Sequence, residues 1–199
     1  MVSNKIKWSV GLFLVIALIL ATNFIDRNNF KRVQDSVSTI YEDRLVAKDL
    51  IYDIQLEIHE KELLIALNNT TAYLSQKNKA QDELNDSMTQ FSTTKLTLEE
   101  EKVFNNLQTE LAALFTLENA TDFTAVNGQD NSRLQQQLDL INETLLKLSD
   151  IQIKEGNRQM HIGKKAMASM ELLTQMEVWI MIVLGVIIQF IILYSPKNN

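Results

Sequence analysis

The sequence predicts an all-α protein: an antiparallel up-down-up-down four-helix bundle continuous with two transmembrane helices. Two long uncharged apolar runs lie near the ends of the 199-residue chain. Between them, apolar residues alternate at spacings of four and three, which is typical of packed helices. The only proline, Pro196, follows the second run. Because proline breaks helices, its absence from residues 1–195 favours helices that continue from each span into the bundle.

The first apolar run, Trp8–Ile25, contains 18 residues without a charge. A helix needs roughly 20 apolar residues to cross about 30 Å of hydrocarbon, so this run is predicted to be transmembrane helix 1, with residues 1–7 in the cytoplasm. A cleaved signal peptide is the alternative, because Lys5 and Lys7 precede the run. The length of the run, and the lack of an Ala-x-Ala triplet at its end, favour an uncleaved signal anchor.

The first long helix is predicted to extend to about residue 68, where Asn68 to Thr71 supply a stop and then a cap. Its inward seam alternates by four and three, and Arg44 and Lys61 are its charged exceptions. The seam consists of Val33, Val37, Ile40, Arg44, Ala47, Ile51, Ile54, Ile58, Lys61 and Ile65.

The second and third helices are predicted at about 72–91 and 97–118. Thr97 with Glu100 forms a plausible capping box at the start of the third helix. The carboxylates of residues 99–101 favour the positive end of a helix dipole, and we expect them to be solvated there. The apolar set of the third helix is Val103, Phe104, Leu107, Leu111, Leu114 and Phe115.

The fourth helix is predicted to start near Ser132, after a loop over 119–132, and to run into the second span. Its first apolar set is Leu134, Leu138, Ile141, Leu145 and Leu148. Beyond that the stripe is predicted to shift to Ile153, Gly156, Met160, Gly163, Met167 and Met170. Val178–Tyr194 is predicted to be transmembrane helix 2 (178–194), followed by a cytoplasmic tail over 195–199.

Helix lengths predict a stalk below the bundle. At about 1.5 Å per residue, the outer parts of the first and fourth helices are roughly 65 Å long, and the second and third helices are about half as long. The part nearest the membrane is therefore expected to contain two helices only. Such a stalk leaves apolar surface uncovered, which favours a homodimer.

Charge limits the partners and the orientation. The predicted extracytoplasmic segment, 26–177, holds sixteen Lys and Arg and all twenty-five Asp and Glu, a formal charge of −9. This charge argues against nucleic acid and against a chain lying flat on an anionic bilayer. The positive-inside count is inconclusive, since Arg27, Lys31 and Arg32 follow the first span, but the anchor-like start predicts both termini in the cytoplasm. The absence of cysteine excludes disulfides and thiolate metal sites.

The stretch Ile40-Tyr41-Glu42-Asp43-Arg44-Leu45-Val46-Ala47, about fifteen residues after the first span, resembles the "lYxdRlvpl" segment of bacterial methyl-accepting chemoreceptors. Ala47 stands where that motif usually has proline. The layout of span, helical bundle and span is also similar to the sensor half of these receptors. The resemblance implies a dimer in the bacterial cytoplasmic (inner) membrane, small ligands such as organic acids bound between helices, and a piston-like shift of the fourth helix. Chemoreceptors continue past the second span into signalling modules; this chain ends at Asn199, so it is expected to act through a membrane protein partner.

Arg44 and Tyr41 are the candidate ligand-binding residues. A seam arginine points a guanidinium towards the interior, where it can bind a carboxylate bidentately, and Tyr41 can add a hydroxyl. The alternative for Arg44 is an internal ion pair, with Glu155 within reach on the fourth helix. The alternative for Tyr41 is a packing role with a solvated hydroxyl.

Other site chemistries find no support in the sequence. His59 and His161 are far apart and lack a ligand spacing, so no metal site is predicted. No cofactor motif and no convergent catalytic set is present, and the protein is predicted not to be an enzyme. The leading hypothesis is a chemoreceptor-type sensory bundle, and the alternative is a structural or accessory subunit of a larger envelope complex. A ligand site needs several buried polar residues at one level, and only Arg44 is identified from the sequence.

Overall fold

The computed structural model describes residues 2–121 and 128–193, with side chains described within 11–121 and 131–187 except at 12, 14 and 18. The regular elements of these residues are all helical, which confirms the predicted all-α class. They are α1 (Val2–Thr39), a π-helical segment (Ile40–Leu45), α2 (Val46–Ala66), α3 (Thr70–Thr93), α4 (Leu98–Ala120) and α5 (Gly128–Leu193). The fourth long helix is described from Gly128, so it includes residues 128–131, which precede the predicted start near Ser132. Residues 122–127 of the predicted loop lie outside the described residues.

The chain forms two compact units. The bundle unit is Ser38–Gln159, and its described part contains four helical segments, consistent with the predicted four-helix bundle. The terminal unit contains residues 2–37 of α1 and residues 160–193 of α5.

Polar contacts inside the bundle unit give the directions of α2 and α4. Near the start of these helices Arg44 pairs with Glu100, and near their ends Lys61 pairs with Glu118. The two pairs occur in the same order along both helices, so the first and third bundle helices run parallel to each other.

The second and fourth bundle helices run the opposite way. Tyr73, near the start of α3, donates a hydrogen bond to Glu118 at the end of α4. Asn131, near the start of α5, donates to Asn68 just after α2. The topology within this unit is therefore up-down-up-down.

One contiguous apolar core fills the bundle unit. Most predicted seam positions of α2, α4 and α5 are buried, and the Phe91 and Phe104 rings stack with centroids 4.9 Å apart. The largest fully buried side chains are Ile51, Ile54, Ile58, Leu84, Phe91, Leu107, Leu114, Leu134, Leu138, Ile141, Leu145 and Leu148.

The predicted stop and caps are confirmed. Asn68 ends the first long helix in the left-handed region, with φ 50°. Asn69 is the N-cap of α3, and its side chain accepts a hydrogen bond from the Ala72 amide at 3.2 Å. At the start of α4, Thr97 and Glu100 form the complete capping box.

The predicted apolar stripes of the first and fourth long helices are each wrong over part of their length. Upstream of the π-helical segment Ser36 is buried and Val37 is 60% exposed, one residue out of the predicted seam. A π turn contains about one residue more than an α turn, which accounts for that offset.

The predicted shift of the α5 stripe does not occur. Ile153, Met160 and Met167 are exposed, and Gln152 and Ala166 are buried instead; of the predicted stripe, Gly163 is buried as expected. The α5 seam therefore continues at spacings of four and three beyond Leu148, and the polar side chain of Gln152 conceals this continuity in the sequence.

The terminal unit packs through small and polar side chains. Asn29, Ser36 and Ala166 are buried, and a Cβ placed on Gly163 would lie 3.5 Å from the Ser36 Cβ. Within the described side chains, one helix segment, Asn131–Ile187, includes a stretch long and apolar enough to cross a membrane, and none of that stretch is buried. The first apolar run falls partly outside the described side chains.

Candidate functional site

The first candidate site is a buried polar group around Arg44, here named the Arg44 cluster: Arg44, Glu100, Gln152 and the Lys95 carbonyl. Arg44 lies in the π-helical segment and is 6% exposed. Its Nη1 donates to the Glu100 carboxylate and to Gln152 Oε1 (3.1 Å), and its Nη2 donates to the Lys95 carbonyl at 2.7 Å. One arginine thus joins the α1–α2 junction, the α3–α4 connection, α4 and α5.

Glu100 belongs to two interactions at once. Its Oε2 accepts a hydrogen bond from the Thr97 amide at 2.6 Å, and its Oε1 pairs with Arg44. It is fully buried, so the expectation of a solvated carboxylate is wrong at this residue. Asp43 adds a further tie, because its Oδ1 accepts from the Lys95 amide at 3.2 Å. The capping box of α4 is therefore docked on the π-helical segment.

The predicted partner of Arg44 is wrong, although an internal ion pair is present. Glu155 bonds to Arg158, at 2.7 Å to Nε and 2.5 Å to Nη2. Among the described residues, Arg44 Nε and Gln152 Nε2 are buried donors without a partner. The group that would satisfy them is an acceptor, so a ligand-binding role for Arg44 stays a prediction. Tyr41 is 64% exposed, and the structure does not bring it into a common buried site with Arg44.

The second candidate site lies at the other end of α2 and is here named the Lys61 cluster: Lys61, Tyr73, Gln81 and Glu118. Lys61 is 3% exposed and Glu118 is 1% exposed. Glu118 Oε1 accepts from Lys61 Nζ (2.7 Å) and from the Tyr73 hydroxyl (2.5 Å), while Oε2 accepts from Gln81 Nε2 (2.7 Å). The Lys61 ammonium also lies 5.1 Å from the centre of the Tyr73 ring.

Electrostatics explain why Glu118 needs these partners. It lies in the last turn of α4, where the helix dipole disfavours a carboxylate. Lys61 supplies the opposite charge, and Lys77 donates to the Glu118 carbonyl at 3.1 Å. Burial, and then the adjacent Glu118 carboxylate, raise the pKa of Tyr73. The phenol therefore remains a hydrogen-bond donor at any physiological pH.

The sequence contains a signal for both clusters, which is the position of acidic residues on the α4 seam rather than the apolar pattern itself. On α4, Glu100 and Glu118 continue the seam of Phe104, Leu107, Leu111 and Leu114 at spacings of four and three. Two acidic residues on the seam of the third helix thus complement two basic residues on the seam of the first. A search for opposite charges at seam positions would have found both pairs.

A third polar feature is a pair of carboxylates between α2 and α3. Burial raises the pKa of Glu57, and the nearby Glu83 raises it further by charge repulsion and by sharing a hydrogen bond. Glu60 acts in the same direction, and Lys79 opposes it. The ionised form of Glu57 is therefore disfavoured in the folded chain.

Glu57→Gln is expected to stabilise the bundle at neutral pH. A carboxyl whose pKa is raised on folding stabilises at pH values below its unfolded pKa, and this contribution is lost as the pH rises through the folded pKa. The melting temperature of Glu57→Gln should therefore exceed that of the wild type increasingly between pH 4 and pH 7. The melting temperatures of the wild type and of Glu57→Gln are measured by thermal melts across this pH range. Asp53→Asn, at an exposed position on α2, is the control. A gap between the curves that stays constant with pH would contradict the interpretation.

Two open grooves run along the bundle unit. The groove between α3 and α4 has a volume of about 480 Å³, and its lining contains no charged residue. The groove between α4 and α5 has a volume of about 560 Å³, and Arg133, Gln136 and Gln137 lie along it. The second groove thus offers a cation and amide groups to a small polar molecule.

A second apolar stripe on the first long helix faces away from the core. Its members recur at spacings of seven and four and are between 48% and 72% exposed. They are Leu45, Tyr52, Leu56, Leu63 and Leu67. Exposed apolar residues on one side of a helix are a candidate interaction surface.

Compared with known protein families, residues 1–167 match the family described as a four helix bundle sensory module for signal transduction. Among curated proteins, and likewise among solved structures, none matches the chain. The matched region includes both polar clusters, both grooves and the exposed stripe.

Proposed function

Because the chain belongs to the family of four-helix-bundle sensory modules of chemoreceptors, we propose that it is a membrane-anchored sensor whose bundle lies outside the cytoplasmic membrane. This family is a signal-transduction module rather than an enzyme family. The observation that carries the proposal is the family match over residues 1–167, which includes the first apolar run and the whole bundle unit.

Two spans, 8–25 and 178–194, anchor the proposed sensor, with 26–177 outside the membrane and 1–7 and 195–199 in the cytoplasm. The exposed apolar stretch of α5 supports the second span. The uncharged run Trp8–Ile25 supports the first. Signals would pass to the spans of a membrane protein partner.

The proposed sensor is a homodimer that pairs through the exposed stripe of Leu45, Tyr52, Leu56, Leu63 and Leu67. The seven-and-four spacing is an eleven-residue repeat, about 3.67 residues per turn, which keeps the stripe on one face of the helix, and an isologous interface would place the same helix of two copies side by side. The burial of the core seam on the opposite face leaves this stripe available for a second copy.

Cysteine crosslinking tests the dimer. This cysteine-free chain allows single replacements, and Leu56→Cys and Leu63→Cys are expected to form disulfides between copies in native membranes. Ile58→Cys is the matched control, because Ile58 is fully buried in the core and should not crosslink. Ala47, although on the predicted seam, is equally buried and is therefore unsuitable. The proposal is wrong if no stripe position crosslinks and the protein is monomeric in mild detergent.

A small organic acid is the proposed ligand, and the groove between α4 and α5 is its proposed site. Arg133 gives that groove a cation for a carboxylate, and Gln136 adds an amide donor, while the Gln137 amide already donates to the Glu110 carbonyl at 2.8 Å. The buried Arg44, in contrast, already has Glu100 as its counter-ion.

The internal neutralisation of Arg44 also favours a second candidate function, an accessory subunit of a larger envelope complex. Such a subunit needs a rigid bundle and no ligand. Stoichiometric co-purification with a large complex in mild detergent, without any effect of organic acids on melting, would select this function.

A further inference from the structure

The outer face of α1 just past the first apolar run has an unusual composition. Phe24 (75% exposed), Arg27 and Lys31 are three and four residues apart and so share one face of the helix. Phe30 beside them is 61% exposed, whereas the polar Asn29 is 7% exposed and packs inside the terminal unit. A helix facing water shows the reverse arrangement, with polar residues outside and aromatic residues inside. This face is therefore built for an environment that is neither water nor protein core.

Basic charge exceeds acidic charge on this part of the helix, where Arg27, Lys31 and Arg32 stand against Asp26 and Asp35. Arg27, Lys31 and Arg32 are exposed, and none of them belongs to an ion pair among the described residues. The bundle segment 38–159 carries 11 Lys and Arg against 21 Asp and Glu, or −10. The segments 26–37 and 160–177 together carry five against four, or +1. Basic residues thus slightly outnumber acidic residues next to the predicted spans, and acidic residues outnumber basic residues in the bundle segment.

The distance from the span matches a headgroup layer. Arg27, Lys31 and Arg32 follow Ile25 by two, six and seven residues, or about 3 to 11 Å along a helix. The polar layer on each side of the hydrocarbon is roughly 5–8 Å thick. Long basic side chains reach several ångströms further along the helix, so all three charged ends can lie in this layer.

We propose that this headgroup face, formed by Phe24, Arg27, Phe30 and Lys31 with Arg32 at its edge, binds anionic phospholipids of the outer leaflet. The inference rests on the proposed membrane anchoring. Arginine pairs with phosphate bidentately and lysine as a point charge, while the Phe24 ring lies at the acyl boundary and Phe30, about 9 Å further along the helix, lies in the headgroup layer. This role also explains three basic residues on the translocated side of a span, where the positive-inside rule does not predict them.

Reconstitution of the full chain tests the proposal. The protein is inserted into vesicles of phosphatidylcholine alone or of equal parts phosphatidylcholine and phosphatidylglycerol. Lipid retained in mild detergent is then counted by native mass spectrometry. The wild type should retain phosphatidylglycerol preferentially, and each Gln replacement at residues 27, 31 and 32 should lower that preference by about fivefold. Raised salt should weaken the preference, because charges at a surface are screened.

The matched control is Lys48→Gln/Lys164→Gln/Lys165→Gln, which removes three exposed charges at least about 20 Å of helix from either span. Equal lipid retention by this control and by Arg27→Gln/Lys31→Gln/Arg32→Gln would overturn the proposal. A disulfide between copies at Asn28→Cys would also overturn it, since a second copy would then cover the face. Flotation of the protein with vesicles distinguishes a failure of the headgroup face from a failure of the proposed membrane anchoring. A chain that floats without lipid preference contradicts the headgroup face alone, and a chain that fails to float contradicts membrane anchoring as well.

Discussion

Arg44→Met is expected to destabilise the bundle by about 3–5 kcal/mol, because it leaves the fully buried Glu100 carboxylate without its counter-ion. Glu100→Gln should have a comparable effect by leaving Arg44 uncompensated. Glutamine keeps an acceptor for the Thr97 amide, so this variant preserves the capping box while it removes the charge. The double variant, with no buried charge at this level, should recover much of the loss. Denaturant melts of the four proteins measure the coupling free energy.

Organic acids separate this structural role from ligand binding. If Arg44 serves a ligand, Arg44→Met should fold normally and lose the melting shift that the acid produces in the wild type. If the groove between α4 and α5 is the site, Arg133→Gln should lose that shift while its own stability is unchanged, because Arg133 is exposed. Additive destabilisation by Arg44→Met and Glu100→Gln would contradict the ion-pair account.

Lys61→Met is expected to be the second large effect, again about 3–5 kcal/mol, because it removes the opposite charge from the buried Glu118. Tyr73→Phe should cost less, roughly 1.5–3 kcal/mol, since it removes one hydrogen bond to a charged acceptor. Combining Lys61→Met with Glu118→Gln should restore much of the stability. Lys147→Ala, in an exposed i,i+4 pair with Glu143, is the control and should change the melt little.

High pH provides an independent check on the Lys61 cluster. The pKa of Tyr73 is raised on folding, so its contribution is present below its unfolded value of about 10 and is lost as the pH rises above it. The stability of Tyr73→Phe should not show this loss. Identical alkaline profiles for the two proteins would contradict the assigned environment of the phenol.

The periodic apolar pattern of the sequence was sufficient for the helices and for most of the core. The seams of α2, α4 and α5 were correct where leucine and isoleucine recur, because burial of an apolar face dominates helix packing. The π turn at residues 40–45 was not predicted, since one extra residue per turn leaves no signal in composition. It is the reason that Ser36 rather than Val37 is buried.

The polar clusters were harder to predict for a different reason. A carboxylate in the first turn of a helix is usually exposed, and this rule favours solvent for Glu100 although the residue lies on the α4 seam. Gln152 is a buried polar residue on the α5 seam, and the gap that it leaves in the apolar pattern resembles a shift of the stripe. Buried charges are paired between helices. The periodic pattern of one helix does not show which residues of another helix lie beside it. Arg44 was identified as the important seam residue, but its partner on α4 followed only from the three-dimensional register.

The location of the bundle outside the membrane is the central claim, and cysteine labelling in intact cells tests it most directly. Lys102→Cys places a thiol on an exposed position of α4, and Ser3→Cys places one before the proposed first span, in a chain with no other cysteine. The account predicts that a membrane-impermeant maleimide labels Lys102→Cys in intact cells and labels Ser3→Cys only after permeabilisation. Labelling of Lys102→Cys only after permeabilisation would contradict it.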